Sequence, residues 1–352
     1  MSFENSGVTK SDLAIFHQDW WIRIASASSD YRELKIFRGS DVVGRLAFVF
    51  TRNRLGLISG HNPYWSHLGG PIVDQRLNRS EQADVIRSLV GQLPRWASFN
   101  FVCDPNLSYA DLVRGAFSAA GFEHSSQITY VRFPGDDSIW NTRKSKHRGH
   151  IKRAEKSLEC IQITPKEFVQ FFETNLNARK ERSYAPLHTL TSLIEEAVAR
   201  GCARAIAARQ AFPRESSNNH HAFSYDAAII YLWDHARCYY WLSTRRLLTA
   251  ESNGTKPHPD AIKLLAAKAM EHAQAMDLIF DVDGVVTPGA DYLYRNIFGL
   301  GKEQHRDVFE RINPVDRLYQ NCRKRFRMMT TAVLPDSATH ISPSVGAKRP
   351  VL

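Results

Sequence analysis

Apolar and polar positions along the first third of the chain repeat with two different periods, and the switches between them mark the elements. "RELKIFRG" (32–39) and "VVGRLAFVFTR" (42–52) read as strands, with Gly39 and Ser40 between them as a hairpin signal. A connection rich in Gly, Asn and Pro follows, "SGHNPYWSHLGGPIV" (59–73), and it is unusually aromatic. "SEQADVIRSLVGQLPRW" (80–96) takes up helical spacing behind a Ser N-cap with Glu and Gln after it. "FNFVCDP" (99–105) predicts a strand, "YADLVRGAFSAAGF" (109–122) a helix ended by Gly121, and "QITYVRFPG" (127–135) another strand. Together these make one mixed α/β unit.

The second half repeats that grammar. A helix starts near Pro165, and "TLTSLIEEAVARG" (189–201) is a helix with a Gly stop. Three strands follow, "CARAIAARQ" (202–210), "HAFSYDAAIIYLWD" (221–234) and "RCYYWLSTRR" (237–246), with a polar excursion before the second and a hairpin after it. In "PHPDAIKLLAAKAMEHAQAMD" (257–277), Ile262, Leu265, Ala266, Ala269, Ala273 and Met276 share one stripe of an amphipathic helix. "LIFDVDG" (278–284) is a short apolar strand ending in carboxylates, followed by a short helix, a strand around "HRDVFERI" and a last helix around "VDRLYQNCRKRF". From about Thr330 onward no periodicity survives, which predicts a disordered tail over 330–352.

Between the halves lies "TRKSKHRGHIKRAEKS" (142–157), which reads first as a nucleic-acid-binding arm. Its spacing says otherwise. Trp140, His147, Ile151, Ala154 and Leu158 recur on one helical stripe, while Lys144, Arg148 and Lys152 form a basic ridge on another face. The expectation is a packed interdomain helix whose ridge either meets a phosphate-bearing substrate or is simply solvated.

Composition narrows the function classes. At 352 residues and 43% hydrophobic, the chain can hold two ordinary cores. A net charge of +10 favours acidic or phosphate-bearing partners. Five widely spaced cysteines, Cys103, Cys160, Cys202, Cys238 and Cys322, form neither a disulfide framework nor a zinc motif, so a cytoplasmic setting and no bound metal are expected. The opening residues lack a signal-peptide pattern, and no apolar run reaches bilayer length.

The segments "AAIIYLWDHARCYYWLST", "DAIKLLAAKAMEHAQAMDLIFDVDG" and "GADYLYRNIFG" occur in an order that resembles the second acyltransferase domain of the FemAB-like family, the double-domain members of the GNAT superfamily. The resemblance spans roughly residues 140–319 and, more weakly, the first half. In the family an Asp-rich strand end with Gly is followed by an aromatic-Lys-x-x-Phe-Gly motif. Here the matching residues are Asp281, Asp283 and Gly284, then Tyr294, Arg295, Phe298 and Gly299, with Arg in place of Lys, which keeps the charge and changes the donor geometry. The resemblance implies an α/β (α+β) fold of two tandem GNAT-like domains, 1–135 and 136–329, with mixed, mostly antiparallel sheets flanked by helices. It also implies transfer of an activated acyl group to an amine, with aminoacyl-tRNA or an acyl thioester of coenzyme A as donor and no separate cofactor. A non-catalytic nucleic-acid-binding protein on the same fold is the rival reading.

Acyl transfer to an amine needs a neutral amine, a donor carbonyl held in line and stabilisation of the oxyanion. No GxSxG or Cys-His signature supplies a protein nucleophile, so direct attack is expected. Asp281 and Asp283, two apart on a strand, are candidate proton acceptors with pKa values raised by burial. Arg295 is the leading candidate to meet developing negative charge, with Tyr294 beside it. By the resemblance, backbone groups of Leu242, Ser243 and Thr244 hold the donor arm where the sheet splays, and Arg245 and Arg246 meet phosphate or end a solvated strand. Gly254, Thr255 and Lys256 precede the 257–277 helix, whose N-terminus suits a phosphate, although Pro257 and Pro259 supply no N–H there. Tyr64, Trp65 and His67 can stack on an acceptor or on their own loop. The basic balance and the missing pyrophosphate loop favour aminoacyl-tRNA over acyl-CoA.

Overall fold

The computed structural model describes residues 13–319 except 28–29, 54, 105, 138–140, 142, 144, 212–224, 248–255 and 286. In chain order the elements are α1 (Asp19–Ala25), β1 (Tyr31–Arg38), β2 (Asp41–Arg52), β3 (Ile58–His61), β4 (Ile72–Val73), α2 (Arg79–Gly91), β5 (Ser98–Cys103), α3 (Ala110–Ala119) and β6 (Glu123–Arg132). There follow α4 (Ser145–Ser157), β7 (Leu158–Gln162), α5 (Pro165–Ala178), α6 (Leu187–Ala199), β8 (Ala203–Gln210), β9 (Tyr225–Trp233) and β10 (Arg237–Arg245). The last are α7 (Ala261–Ala275), β11 (Ile279–Asp281), α8 (Pro288–Tyr292), a π-helical turn (Leu293–Ile297) and β12 (Lys302–Arg311).

The chain divides into two compact units, each assembled from separated stretches. One gathers Met1–Ser29, Pro63–His67 and Ser126–Arg306; the other gathers Asp30–Asn62, Leu68–Ser125 and Asp307–Leu352. Their borders therefore depart from the consecutive division at residue 135 that the sequence suggested. The expected tail 330–352 lies outside the described residues.

In the first unit the strand order is β6-β11-β10-β9-β8-β7, antiparallel except for the parallel pair β10 and β11. Helix α7 covers β8 to β11 and is buried more widely than its predicted stripe, with Leu264, Ala267 and Met270 also inside. The reason is a second partner: α4 packs against α7, and Ile151 and Ala154 of α4 join the same core. Helix α5 begins as expected at Pro165. Thr164 caps it, accepting from the Glu167 N–H while Glu167 accepts from the Thr164 N–H, so two otherwise orphaned donors are satisfied.

In the second unit the order is β1-β2-β3-β5-β12, with β4 on β2; β3 and β5 run parallel and the other pairs antiparallel. The β1–β2 hairpin turns at Gly39, whose φ of 61° is the left-handed conformation that glycine adopts without penalty. Phenylalanines from β2, β5, α3 and β12 fill the core, with Phe117 and Phe309 stacked at 4.4 Å. Helix α2 starts earlier than expected: Asn78 and Glu81 form its capping box, a better-spaced pair than one beginning at Ser80. The aromatic connection 59–73 is not wholly irregular, since its ends contribute to β3 and form β4. No helix among the described residues is long and apolar enough to cross a membrane.

Candidate active site

The site lies within the first unit, where β11 ends. Strand β11 stops at Asp281, and Asp283 takes a left-handed backbone, φ 65°, followed by Gly284 at 107°. The turn is tied on three sides. The Asp283 N–H donates to Asp281 Oδ1 at 2.8 Å, the Thr129 hydroxyl donates to the same oxygen at 2.5 Å, and the Gly284 N–H donates to Thr129 Oγ1 at 3.1 Å. A side chain at position 284 would press on Gln127, besides straining the backbone.

Two buried arginines hold the carboxylates. Arg306, 1% exposed, donates from Nη1 to Asp283 Oδ1 at 2.7 Å and from Nη2 to Asp281 Oδ2 at 3.0 Å. Arg237 donates to Asp281 Oδ2 at 3.1 Å. Two negative and two positive side chains thus meet out of water with formal charges balanced, the condition under which a buried ion cluster is tolerated. The second oxygen of Asp283 is bound by His67 Nδ1. Burial alone would raise the Asp283 carboxyl, but His67 and Arg306 together outweigh it and hold the group below the ordinary carboxylate range.

A neutral His67 facing a carboxylate through Nδ1 must carry its hydrogen there, which leaves Nε2 as a proton acceptor. The ring is fixed by aromatic neighbours: Phe16 stacks on it at 5.8 Å and Trp241 lies at 6.3 Å. The 63–67 segment is itself anchored. Trp241 Nε1 donates to the Trp65 carbonyl at 3.1 Å and Trp21 Nε1 to Ser66 Oγ at 2.8 Å. Burial pushes the Tyr294 phenol up, and Tyr240 and then Asp283 add to the shift.

Beside this cluster β10 runs on past the end of β11. All three residues of β11 pair with it, Ile279 with Arg237, Phe280 with Cys238 and Asp281 with Tyr239. Beyond Tyr239, β10 keeps β9 on one side, with a bulge between Tyr239 and Leu242. Tyr239 and Trp241 turn toward Phe16 and Trp21, whereas Tyr240 joins the core beneath α7 with Phe280 and Phe298.

The residues singled out from the sequence fall in several places. Asp281 and Asp283 do meet, through Arg306, but not as a strand pair, because Asp283 lies past the end of β11. Their expected role as raised-pKa bases also gives way: Asp283 is shifted down, and Asp281 is fully engaged by Thr129, Arg237, Arg306 and the Asp283 N–H. Arg295 is 49% exposed and bound to Tyr130, Asp291 and Glu303 rather than to either aspartate. Tyr294 lies against Tyr240 and Phe298. Leu242, Ser243, Thr244 and Arg245 pair with β9. Arg246 is matched by the buried Asp226 at 2.6 Å. Lys256 is exposed, and Gly254, Thr255 and Lys144 lie outside the described residues.

Tyr64 and Trp65 are buried, and Trp65 packs on Tyr184 at 4.7 Å with its Nε1 donating to the Pro186 carbonyl. They fold into the protein instead of offering a stacking face. Arg148 donates to the Arg143 carbonyl at 2.5 Å and Lys152 is exposed, so the basic ridge of α4 is not a uniform charged surface. Sequence reasoning missed Arg306, Arg237 and Thr129, and it took His67 for a stacking residue. Among the described residues no group of His, Cys, Asp and Glu is arranged to hold a metal.

Two compact α/β units with mostly antiparallel sheets flanked by helices define a mixed α/β fold. No family model and no curated protein sequence matches the chain. Among solved structures it is similar to FemX, with a TM-score of 0.54 at 11% identity over 87% of this chain and 94% of that one. It is also similar to the C-terminal domain of a putative lysylphosphatidylglycerol synthetase from Agrobacterium fabrum, with a TM-score of 0.50 at 11% identity over 89% and 95%. A conserved protein of unknown function from Bacteroides thetaiotaomicron gives 0.51 at 10% identity over 87% and 92%. At these identities the likeness is one of fold.

Proposed function

We propose that the chain is an N-acyltransferase that joins an activated aminoacyl or acyl group to an amine, with His67 as the proton acceptor. The observation that carries this reading is the His67–Asp283–Arg306 arrangement where β11 ends beside β10. The amine nitrogen attacks the donor carbonyl carbon, and its proton passes to His67 Nε2. The tetrahedral oxyanion then collapses, the bond from carbon to the carrier oxygen or sulfur breaks, and His67 returns the proton to that leaving atom. Asp283 stabilises the imidazolium meanwhile, and Arg306 keeps Asp283 ionised and oriented. No protein nucleophile is required.

The favoured donor is aminoacyl-tRNA. The chain is basic, and the head of α7 is already occupied by a carboxylate: Asp260 is buried there between His150 Nδ1 at 2.9 Å and Lys263 Nζ at 2.5 Å. The Asp260 side chain caps none of the α7 N–H groups, but its charge at the helix N-terminus works against a second anion, such as a carrier pyrophosphate, there. Acyl-CoA is the alternative donor. Incubation with pooled charged tRNAs and, separately, a panel of acyl-CoAs tests the reading. Consumption of a charged tRNA that falls steeply with salt supports tRNA, and stabilisation by millimolar acetyl-CoA supports the thioester. His67→Gln should remove turnover with either donor. Nucleic-acid binding with no transfer from any donor would leave the chain a binding protein.

A further inference from the structure

In the second unit, the end of β12 and the end of α3 border a cavity of about 370 Å³, lined by Arg95, residues 119–121 and residues 311–314. Its size falls in the range of small-ligand sites, about 300–1,000 Å³. Alternation along β12 brings Arg311 there, because it shares a face with Phe309, which stacks on Phe117 of α3. The Arg311 guanidinium is fixed before anything binds. It lies over the Phe122 ring at 4.6 Å and the Phe99 ring at 5.4 Å, and its Nη2 donates to the Pro94 carbonyl at 2.7 Å. Its Nε is buried with no partner, and its Nη1 makes no hydrogen bond among the described residues.

The second cation in the cavity is Arg95, which is exposed and makes no ion pair among the described residues. Burial and then the Arg95 charge push the Arg311 guanidinium down, and no carboxylate stands close enough to offset them. The acids of the surrounding segments are engaged elsewhere: Asp316 accepts from Ser98 and Asn313, and Glu123 pairs with Arg317 at 3.0 Å. Two like charges therefore share one cavity without a counter-ion.

Magnitudes choose the ligand. The C-terminal end of α3 contributes roughly half a negative charge, which leaves about one and a half positive charges in the cavity. A phosphate monoester carries about −1.5 to −2 at neutral pH and matches that excess, whereas a monocarboxylate supplies a single charge. We propose that this cavity binds a small phosphate monoester, with its phosphate between Arg95 and Arg311 and its organic body against Ile312, Pro314 and the alanines at the end of α3. No residue of the proposed transfer reaction lines the cavity, so this site stands or falls apart from that reading.

Calorimetric titration of the full chain with phenyl phosphate, inorganic phosphate and benzoate tests it, at about pH 7.5, above the second ionisation of a phosphate monoester. Phenyl phosphate should bind tightest, since benzoate has the ring without the second charge and inorganic phosphate the charge without the ring. Arg95→Ala should weaken phenyl phosphate by about 10-fold or more, the worth of one hydrogen bond to a charged group, and Arg95→Lys should restore part of the loss. Without ligand, Arg95→Ala should melt at or above the wild-type temperature, because it removes a like charge beside Arg311. No binding of phenyl phosphate at millimolar concentration would overturn the proposal, as would equal affinity for benzoate. Binding that Arg95→Ala leaves intact would place the anion elsewhere and overturn it too. Binding of a 5′-phosphorylated oligoribonucleotide but of neither small phosphate would replace the small ligand with a nucleic-acid end.

Discussion

Asp283→Asn changes the charge at the centre of the site while keeping its shape. Asparagine is close in size to aspartate and tolerates the left-handed backbone at 283, φ 65°, where most residues would add strain of their own. The consequences follow from the two groups that Asp283 accepts. Arg306 must still find an acceptor, and the asparagine offers one oxygen and one NH2 group in place of two oxygens. If the oxygen stays with Arg306, the NH2 group faces His67 Nδ1 and forces the ring to accept there. Its hydrogen then moves to Nε2, and the nitrogen that should take the amine proton is blocked. Loss of general-base catalysis corresponds to about 10²–10⁴-fold in turnover. The same change leaves Asp281 alone against Arg237 and Arg306, one buried positive charge in excess, and a broken buried pair costs about 3–5 kcal/mol.

The pH dependence gives an independent check. The folded Asp283 carboxyl is held below its unfolded value, so its contribution to stability is fully present above the unfolded pKa, about 4, and is lost as pH falls through the folded pKa. Wild type should therefore lose stability faster than Asp283→Asn on acidification below about pH 4, and the gap between their melting temperatures should narrow. Melting curves across pH, with donor-consumption rates at neutral pH, measure both effects. An Asp283→Asn protein as active as wild type would refute the assignment of His67 as base. One as stable as wild type would refute the buried-charge argument.

Two further substitutions test the scaffold. Thr164→Ala removes the side-chain acceptor of the α5 capping box and should lower stability by about 1 kcal/mol without changing donor kinetics, as read by denaturant titration. Gly44→Ala would place its new methyl 2.3 Å from Val85 Cγ1 in the α2 contact of the second unit. It should lower stability by about 1–3 kcal/mol through overpacking, and an unchanged melting temperature would show that α2 shifts freely on the sheet.

Much of the scaffold was legible because its signals are local. The β8–β9–β10 meander, the α7 stripe, the Pro165 start and the Gly39 turn each follow from residues within one element of each other. The site was not, because its bonds are long-range. His67 reaches Asp283 across 216 positions, and Arg306 reaches the two aspartates from a strand whose own pattern advertises only β-structure. The aspartates drew notice as a strand pair, yet the cue that mattered was Gly284, which marks the turn that takes Asp283 off the strand. Aromatic composition misled in the 59–73 connection, since a loop that grips a ligand and one that grips its own protein are built from the same residues. Arg295 was favoured for its motif, and nothing in the motif reveals that Asp291 and Glu303 already neutralise it.

The interleaving of the two units bears on how the chain is made. Arg306, the residue that holds both aspartates, is also the last residue of its unit, and the next residue, Asp307, opens the final stretch of the other. A ribosome adding about 5–20 residues per second takes roughly 15–60 s to release that point. Until then the second unit lacks β12 and the first lacks the arginine that balances its buried aspartates, so neither is complete. Truncation products or pauses upstream of residue 306 should be chaperone clients, whereas an ordinary tandem protein would already have finished its first domain.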